Sequence, residues 1–186
     1  MASIISIFKT PKDQETRFTE LVKPHVDVMF RMAYRWTQQT QEAEDLVQDV
    51  LTRLVNRVNE LERVDNLKPW LIKILYRRFV DLYRRELNNP IDSEHKWTGN
   101  EEVFEQALHN TSDESVDHER SDLQRLLLQA LETLEDEQRD VVLLHDVEGY
   151  SAIEVADIMD ISVGTVKSRL HRSRAKLKNY LEQGTI

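Results

Sequence analysis

The chain has 186 residues, enough for one large domain or two small ones, and carries a formal net charge of −9 at pH 7. It has no cysteine, which excludes disulfides and thiolate metal sites, and no run approaches the ~18 apolar residues of a membrane span. With only four glycines and four prolines the composition favours helix over strand, so the expectation is an all-α, soluble, cytoplasmic protein without membrane insertion.

The opening stretch, MASIISIFKTPKDQE, has an apolar patch too short for a secretory signal and no basic segment before it. Apolar residues then recur at helical spacing at Ala43, Leu46, Val47, Val50, Leu54, Val58 and Leu61, and again at Leu71, Ile74, Leu75, Phe79 and Leu82. Two or three long helices packed together account for a first domain over residues 13–92. Beside the first stripe, Glu42, Asp45, Gln48 and Asp49 form a polar, mostly acidic face, which suits either solvent or a contact surface. The segment PWLIKILYRRFVDLYRR (69–85) mixes Lys73, Arg77, Arg78, Arg84 and Arg85 with Trp70, Tyr76, Phe79 and Tyr83. Such a mixture neutralises a phosphate backbone and stacks on unpaired bases. Trp70 and Phe79 fall on the apolar stripe and are expected to be structural, which leaves Tyr76 and Arg77 for the nucleic-acid face.

Charge is unevenly distributed. Residues 1–87 hold 15 basic and 13 acidic side chains, residues 88–122 hold 2 and 10, and residues 123–186 hold 8 and 11. The middle segment is polar, acidic and non-periodic, the composition of a solvated linker, assigned to 93–120. An acidic total does not exclude a nucleic-acid partner when the bases are segregated onto particular faces.

A second helical domain, 121–183, opens with Ser121 and Gln124 at capping-box spacing and then LLLQALETL. A helix over about 135–147 stops near Gly149. Ser151 and Glu154 repeat the capping-box spacing before IEVADIM, and after the short DIS a basic helix begins at Val163. Helix, tight turn, helix is an arrangement that places its second helix in a DNA major groove. On that helix Val163, Val166, Leu170, Leu177 and Leu181 form the buried stripe. Gly164, Ser168, His171, Arg172 and Ala175 lie opposite, with Lys167, Arg169 and Arg174 on the flanks. Flanking bases reach phosphates while the central face meets base edges. Complementing the macrodipole at a helix C-terminus accounts for two or three bases, but here six begin in the first turns.

The stretch LEDEQRDVVLLHDVEGYSAIEVADIMDISVGTVKSRLHRSRAKL resembles region 4 of a bacterial sigma factor of the extracytoplasmic function group, a branch of the sigma-70 family. QEAEDLVQDVLTRL (41–54) resembles the region 2 helix by which this family grips the clamp helices of RNA polymerase, and residues 69–85 resemble the following segment that captures the downstream promoter element. The resemblance implies a promoter-specificity subunit with core RNA polymerase and promoter DNA as partners, and an anti-sigma factor as a further partner. It assigns Asp45, Gln48 and Asp49 to polymerase. Asn66, Lys73, Tyr76, Arg77 and Arg84 go to the downstream element, with the loop RVDNLK as the pocket for a flipped base. Thr165, Lys167, Ser168, Arg169, His171, Arg172 and Arg174 go to the upstream element. Arg77 stands where the family often has Asn, and Asp160 where Gly is common in the turn.

A dimeric activator is the competing reading, yet it needs a sensory pocket or a dimer helix that residues 69–85 do not offer. Catalysis has less support, because His145 and Asp146 lie in an ordinary amphipathic helix and His25, His95, His109 and His118 are scattered. No cofactor, metal or enzymatic activity is expected.

Overall fold

The computed structural model describes the backbone of residues 11–87 and 117–183, and within them the side chains of 13–82 and 125–183. The chain divides between Asn88 and Asn89 into two units. Every regular element among the described residues is helical. The expected linker lies almost wholly outside them.

In the first unit α1 (Pro11–Val22) leads through a 3-10 turn into α2 (Val26–Thr37), followed by α3 (Thr40–Leu54), a second 3-10 turn, α4 (Val58–Leu61) and α5 (Leu67–Leu87). Helices α2, α3 and α5 pack on one another, and α1 lies on α4. The core is the α3 stripe Ala43, Leu46, Val47, Val50 and Leu54, met by Leu71, Ile72 and Leu75 of α5 and by Met29, Met32 and Ala33 of α2. Each large apolar side chain removed from water contributes about 1.5–3 kcal/mol, offset by the entropy of ordering it.

The α5 stripe differs from the expected one. Ile72 is fully buried while Ile74 is only half-buried, because α5 meets both α2 and α3 and so covers a wider arc than a single-sided stripe. Helix α2 is not singled out by the sequence reading, although Asp27, Arg31 and Arg35 recur on it at a spacing of four. Eight of its residues are buried, and Arg35 is among them at 7 % exposure, while Asp27 is exposed and Arg31 half-buried on the same polar row.

The second unit comprises α6 (Asp117–Glu132), α7 (Asp136–Val142), α8 (Ala152–Met159) and α9 (Val163–Gln183). The backbone of α6 turns helical at Asp117, four residues ahead of the start read from Ser121. The acid that opens that stretch in sequence suits the positive end of a helix dipole. Helix α7 runs on into a π turn over Leu143–Val147 and ends before Gly149, whose φ of +76° is open to glycine at no steric cost.

The Ser151 capping box is formed in full: Glu154 N–H donates to Ser151 Oγ at 3.2 Å and Ser151 N–H to Glu154 Oε2 at 2.8 Å. Asp160 then adopts the left-handed conformation, φ 57° and ψ 46°, and its N–H closes on Ala156 O. After it Ser162, not singled out in the sequence, caps α9 by accepting from Thr165 N–H at 3.0 Å. These three residue-level devices set the entry of α9.

Helix α9 packs against α6, α7 and α8. Its innermost residues are Val166, Leu170 and Ser173. Val163, Leu177 and Leu181, expected in the same stripe, are half-buried, towards the two ends of the helix. A small serine, Ser173, is buried where the period demands an apolar residue.

Candidate nucleic-acid interface

Helix α9 presents Gly164, Ser168, His171, Arg172 and Ala175 to solvent on the side away from Val166 and Leu170, as its spacing requires. Lys167 is exposed beside them, and Thr165 is half-buried with its hydroxyl 2.8 Å from Ser162 Oγ. Ser168 Oγ donates to Thr165 O at 2.9 Å, and Arg172 Nε reaches back to Ser168 O at 3.3 Å. This face is narrow and polar, with one guanidinium near its centre. It has the chemistry to read base edges.

The flanking bases are engaged differently. Arg169 pairs with Glu137 at the start of α7. Arg174 Nε donates to Asp146 Oδ2 at 3.0 Å, and Lys176 Nζ donates to Thr133 O at the turn after α6. Three of the six bases of the helix therefore tie it to its own scaffold, so positive charge gathers here for two reasons. The Arg174 hydrogen bond holds the Asp146 carboxyl below the usual carboxylate range, against burial, which acts the other way; the charges of Arg174 and His145 and the His145 hydrogen bond add to the lowering.

Sequence reasoning missed Arg139. Its side chain is 7 % exposed, and it donates Nε to Leu131 O at 3.0 Å, Nη2 to Leu134 O at 2.7 Å and Nη1 to Asp136 Oδ1 at 2.9 Å. The guanidinium thus satisfies carbonyls at the C-terminus of α6 and fixes α7, on which Glu137 and the later Asp146 depend. Nothing in its spacing distinguishes it from a surface arginine.

In the first unit Asp45 and Gln48 are exposed on α3, while Asp49 is half-buried. Gln41 Nε2 donates to Asp45 Oδ1 at 3.1 Å. Asp49 is more heavily engaged. Arg78 of α5 donates Nε to its Oδ2 at 2.6 Å, and Arg53 approaches both oxygens, Nε at 2.9 Å and Nη2 at 3.2 Å. The Arg78 side chain is 18 % exposed, so this pair ties α3 to α5.

Along α5 Arg77 is exposed and Lys73 half-buried. Tyr76 sits edge-on to Trp36 of α2 with centroids 5.2 Å apart, and Phe79 stacks on the same indole at 5.6 Å. Trp36, absent from the sequence reading, is the buried centre of this trio. Trp70 and Phe79 are half-buried, and Asn66 is exposed in the loop before α5. The side chain of Arg84 lies outside the described residues.

Among the described residues no group of three or more His, Asp or Glu is arranged to hold a metal ion, and no helix is long and apolar enough to cross a membrane.

Two family models match the chain: Sigma-70 region 2 over residues 21–88 and Sigma-70, region 4 over residues 124–177. An RNA polymerase sigma-E factor of Streptomyces avermitilis is 32 % identical over 167 residues, 89 % of this chain and 85 % of the relative. The ECF RNA polymerase sigma factor SigE of Mycolicibacterium smegmatis is 31 % identical over 178 residues, and there the match spans 95 % of this chain and 66 % of the relative. SigW of Bacillus subtilis is 27 % identical over 179 residues, with 94 % of each chain covered. Among solved structures, the sigma factor RpoE bound to the anti-sigma factor NepR from Bartonella quintana superposes with a TM-score of 0.67 at 25 % identity, covering 89 % of this chain and 96 % of that one.

Proposed function

The chain belongs to the sigma-70 family, in its extracytoplasmic function group, and we infer that it is the promoter-specificity subunit that binds core RNA polymerase, directs promoter recognition and opening, and so starts transcription. The observation that carries this is the order of two matched regions on one chain, region 2 before region 4, the second of them a helix-turn-helix with a solvent-facing polar recognition face.

In this reading α3 meets polymerase through Asp45, Gln48 and Asp49. Helix α5 and the loop before it take the downstream element through Asn66, Lys73, Tyr76, Arg77 and Arg84. Helix α9 takes the upstream element: Ser168, His171 and Arg172 face base edges, Thr165 and Lys167 flank them, and Arg169 and Arg174 reach phosphates only by exchanging their carboxylate partners. The chain contributes binding and positioning, and polymerase contributes the chemistry. It acts in the cytoplasm, where its template is. The likeness to RpoE, a sigma factor solved with an anti-sigma factor, supports an anti-sigma partner for this chain as well.

Transcription in vitro from genomic fragments, with purified core polymerase in the presence and absence of the chain, tests the reading. Promoter-specific transcripts that require the chain are expected. Transcription that needs a different sigma factor, with this chain only enhancing it, would establish the activator alternative.

A further inference from the structure

Helix α1 carries none of the residues assigned above, yet it is anchored to the loop that ends at Asn66. Gln14 Nε2 donates to Val55 O at 3.3 Å, and Val22 is buried at 2 %. Arg17 Nε donates to Glu62 Oε1 at 2.8 Å, and Nη2 of the same guanidinium bonds the same oxygen. The Arg17 side chain is 19 % exposed and that of Glu62 39 %.

Glu62 is the first residue after α4, so it is the root of the loop over 62–66. Arg63 N–H closes on Glu60 O at 3.0 Å and Val64 N–H on Leu61 O at 3.2 Å. These turns carry the backbone rigidly from buried Leu61 to the exposed pair Asp65 and Asn66. At the far end the loop enters α5, held by Leu71 and Ile72. Of the side chains on its near end, Glu62 is the one clamped to another helix by a fork of two donors. Glu62 and Asn66 are thus joined by four peptide bonds, two of whose N–H groups are held in turns.

We propose that Arg17 is a positioning residue for base capture: through Glu62 it fixes the loop over 62–66 in the shape that discriminates the extruded base of the downstream element. The inference rests on the reading of RVDNLK (63–68), which begins immediately after Glu62, as the base pocket. Arg17 acts in this proposal through Glu62, to which its Nε and Nη2 donate. A partly exposed ion pair contributes little to folding, so its removal relaxes the loop without dismantling the α2–α3–α5 core.

The test uses the full chain assembled with core polymerase on templates carrying each of the four bases at the captured position. Selectivity in open-complex formation is read alongside core affinity and the unfolding midpoint. Arg17→Ala is expected to reduce selectivity about fivefold with core affinity and midpoint retained. Arg17→Lys, which keeps the charge but not the fork, falls between, and Glu62→Gln reproduces the loss with little change of shape. Exchanging the partners, Arg17→Glu with Glu62→Arg, restores selectivity. Unchanged selectivity in Arg17→Ala while Asn66→Ala relaxes it would overturn the inference and leave the pocket standing. If Asn66→Ala also changes nothing, the loop is not the pocket and both readings fall. Parallel loss of core affinity, midpoint and selectivity in Glu62→Gln would reduce the pair to a structural one.

Discussion

At the residue scale, neighbours of similar sequence character separate by what their side chains already hold. Asp45 is exposed and accepts one bond from Gln41, whereas Asp49 takes bonds from Arg53 and Arg78. Asp45→Arg is therefore expected to weaken core-polymerase association with the unfolding midpoint unchanged. Asp49→Arg sets a third guanidinium against two others, one of them largely buried, and should cost about 1–3 kcal/mol of stability as well. Pull-down with core polymerase alongside thermal unfolding separates the two. On α9 the same logic divides Arg172 from Arg174. Arg172→Ala should cost about 1–3 kcal/mol of promoter affinity and relax preference at one base pair, read by selection on randomised upstream elements. Asp146→Asn frees Arg174 for a phosphate and is expected to steepen the salt dependence of binding by about one unit. Its effect on folding follows from the lowered Asp146 pKa. A carboxyl lowered in the folded state stabilises above its unfolded value near 3.8 and loses that contribution as pH falls through the lower folded value. Asp146→Asn should thus lower the midpoint slightly at neutral pH and not at all at strongly acid pH. An equal shift at every pH would show that the ion pair is not the cause.

At the element scale, the approach of α9 to DNA depends on the turn that precedes it. Asp160 holds a left-handed backbone that a β-branched residue resists, so Asp160→Val is expected to destabilise by about 1–2 kcal/mol, while Asp160→Gly should be neutral or better. Unfolding midpoints of the two variants check this; a midpoint for Val equal to the parent's would mean that the turn relaxes. Ser173 sits fully buried in the α9 seam, and its hydroxyl finds no hydrogen-bond partner among the described residues. Ser173→Ala removes that hydroxyl at almost constant volume and should stabilise the domain by about 1 kcal/mol. A loss of stability would reveal a bond made by the hydroxyl in solution.

At the scale of the whole molecule, the proposed function has each promoter element held by a separate unit, and covalent linkage then raises the effective concentration of the second unit once the first is bound. The acids between them are the strongest charge concentration in the sequence, 10 against 2 bases over residues 88–122. The expectation that follows from the family resemblance is a role for these acids on the polymerase's RNA path. Replacing the acids within 93–120 by serine should alter initial transcription more than promoter binding, as measured by abortive synthesis and by complex formation on one template. Equal loss of both would assign those acids to folding.

The sequence by itself determined the helical class, the two modules, the Ser151 cap and the outward face of α9. These are properties of spacing and of single residues, which local sterics and the 3.6-residue period make readable. It left α2 unread although Asp27 and Arg31 mark a polar row there, and the burial of Arg35 on that row is decided by the neighbouring helices. It also placed Ile74 where Ile72 is buried, since the width of a buried arc depends on how many helices surround it. What only the tertiary structure decided is which charges are engaged: Arg139 under the α6 carbonyls, Arg78 on Asp49, Arg174 on Asp146 and Arg17 on Glu62. Partners 8 to 45 residues apart leave no local trace, and a long arginine looks the same in sequence whether it points to solvent, to a phosphate or to a carboxylate on a neighbouring helix.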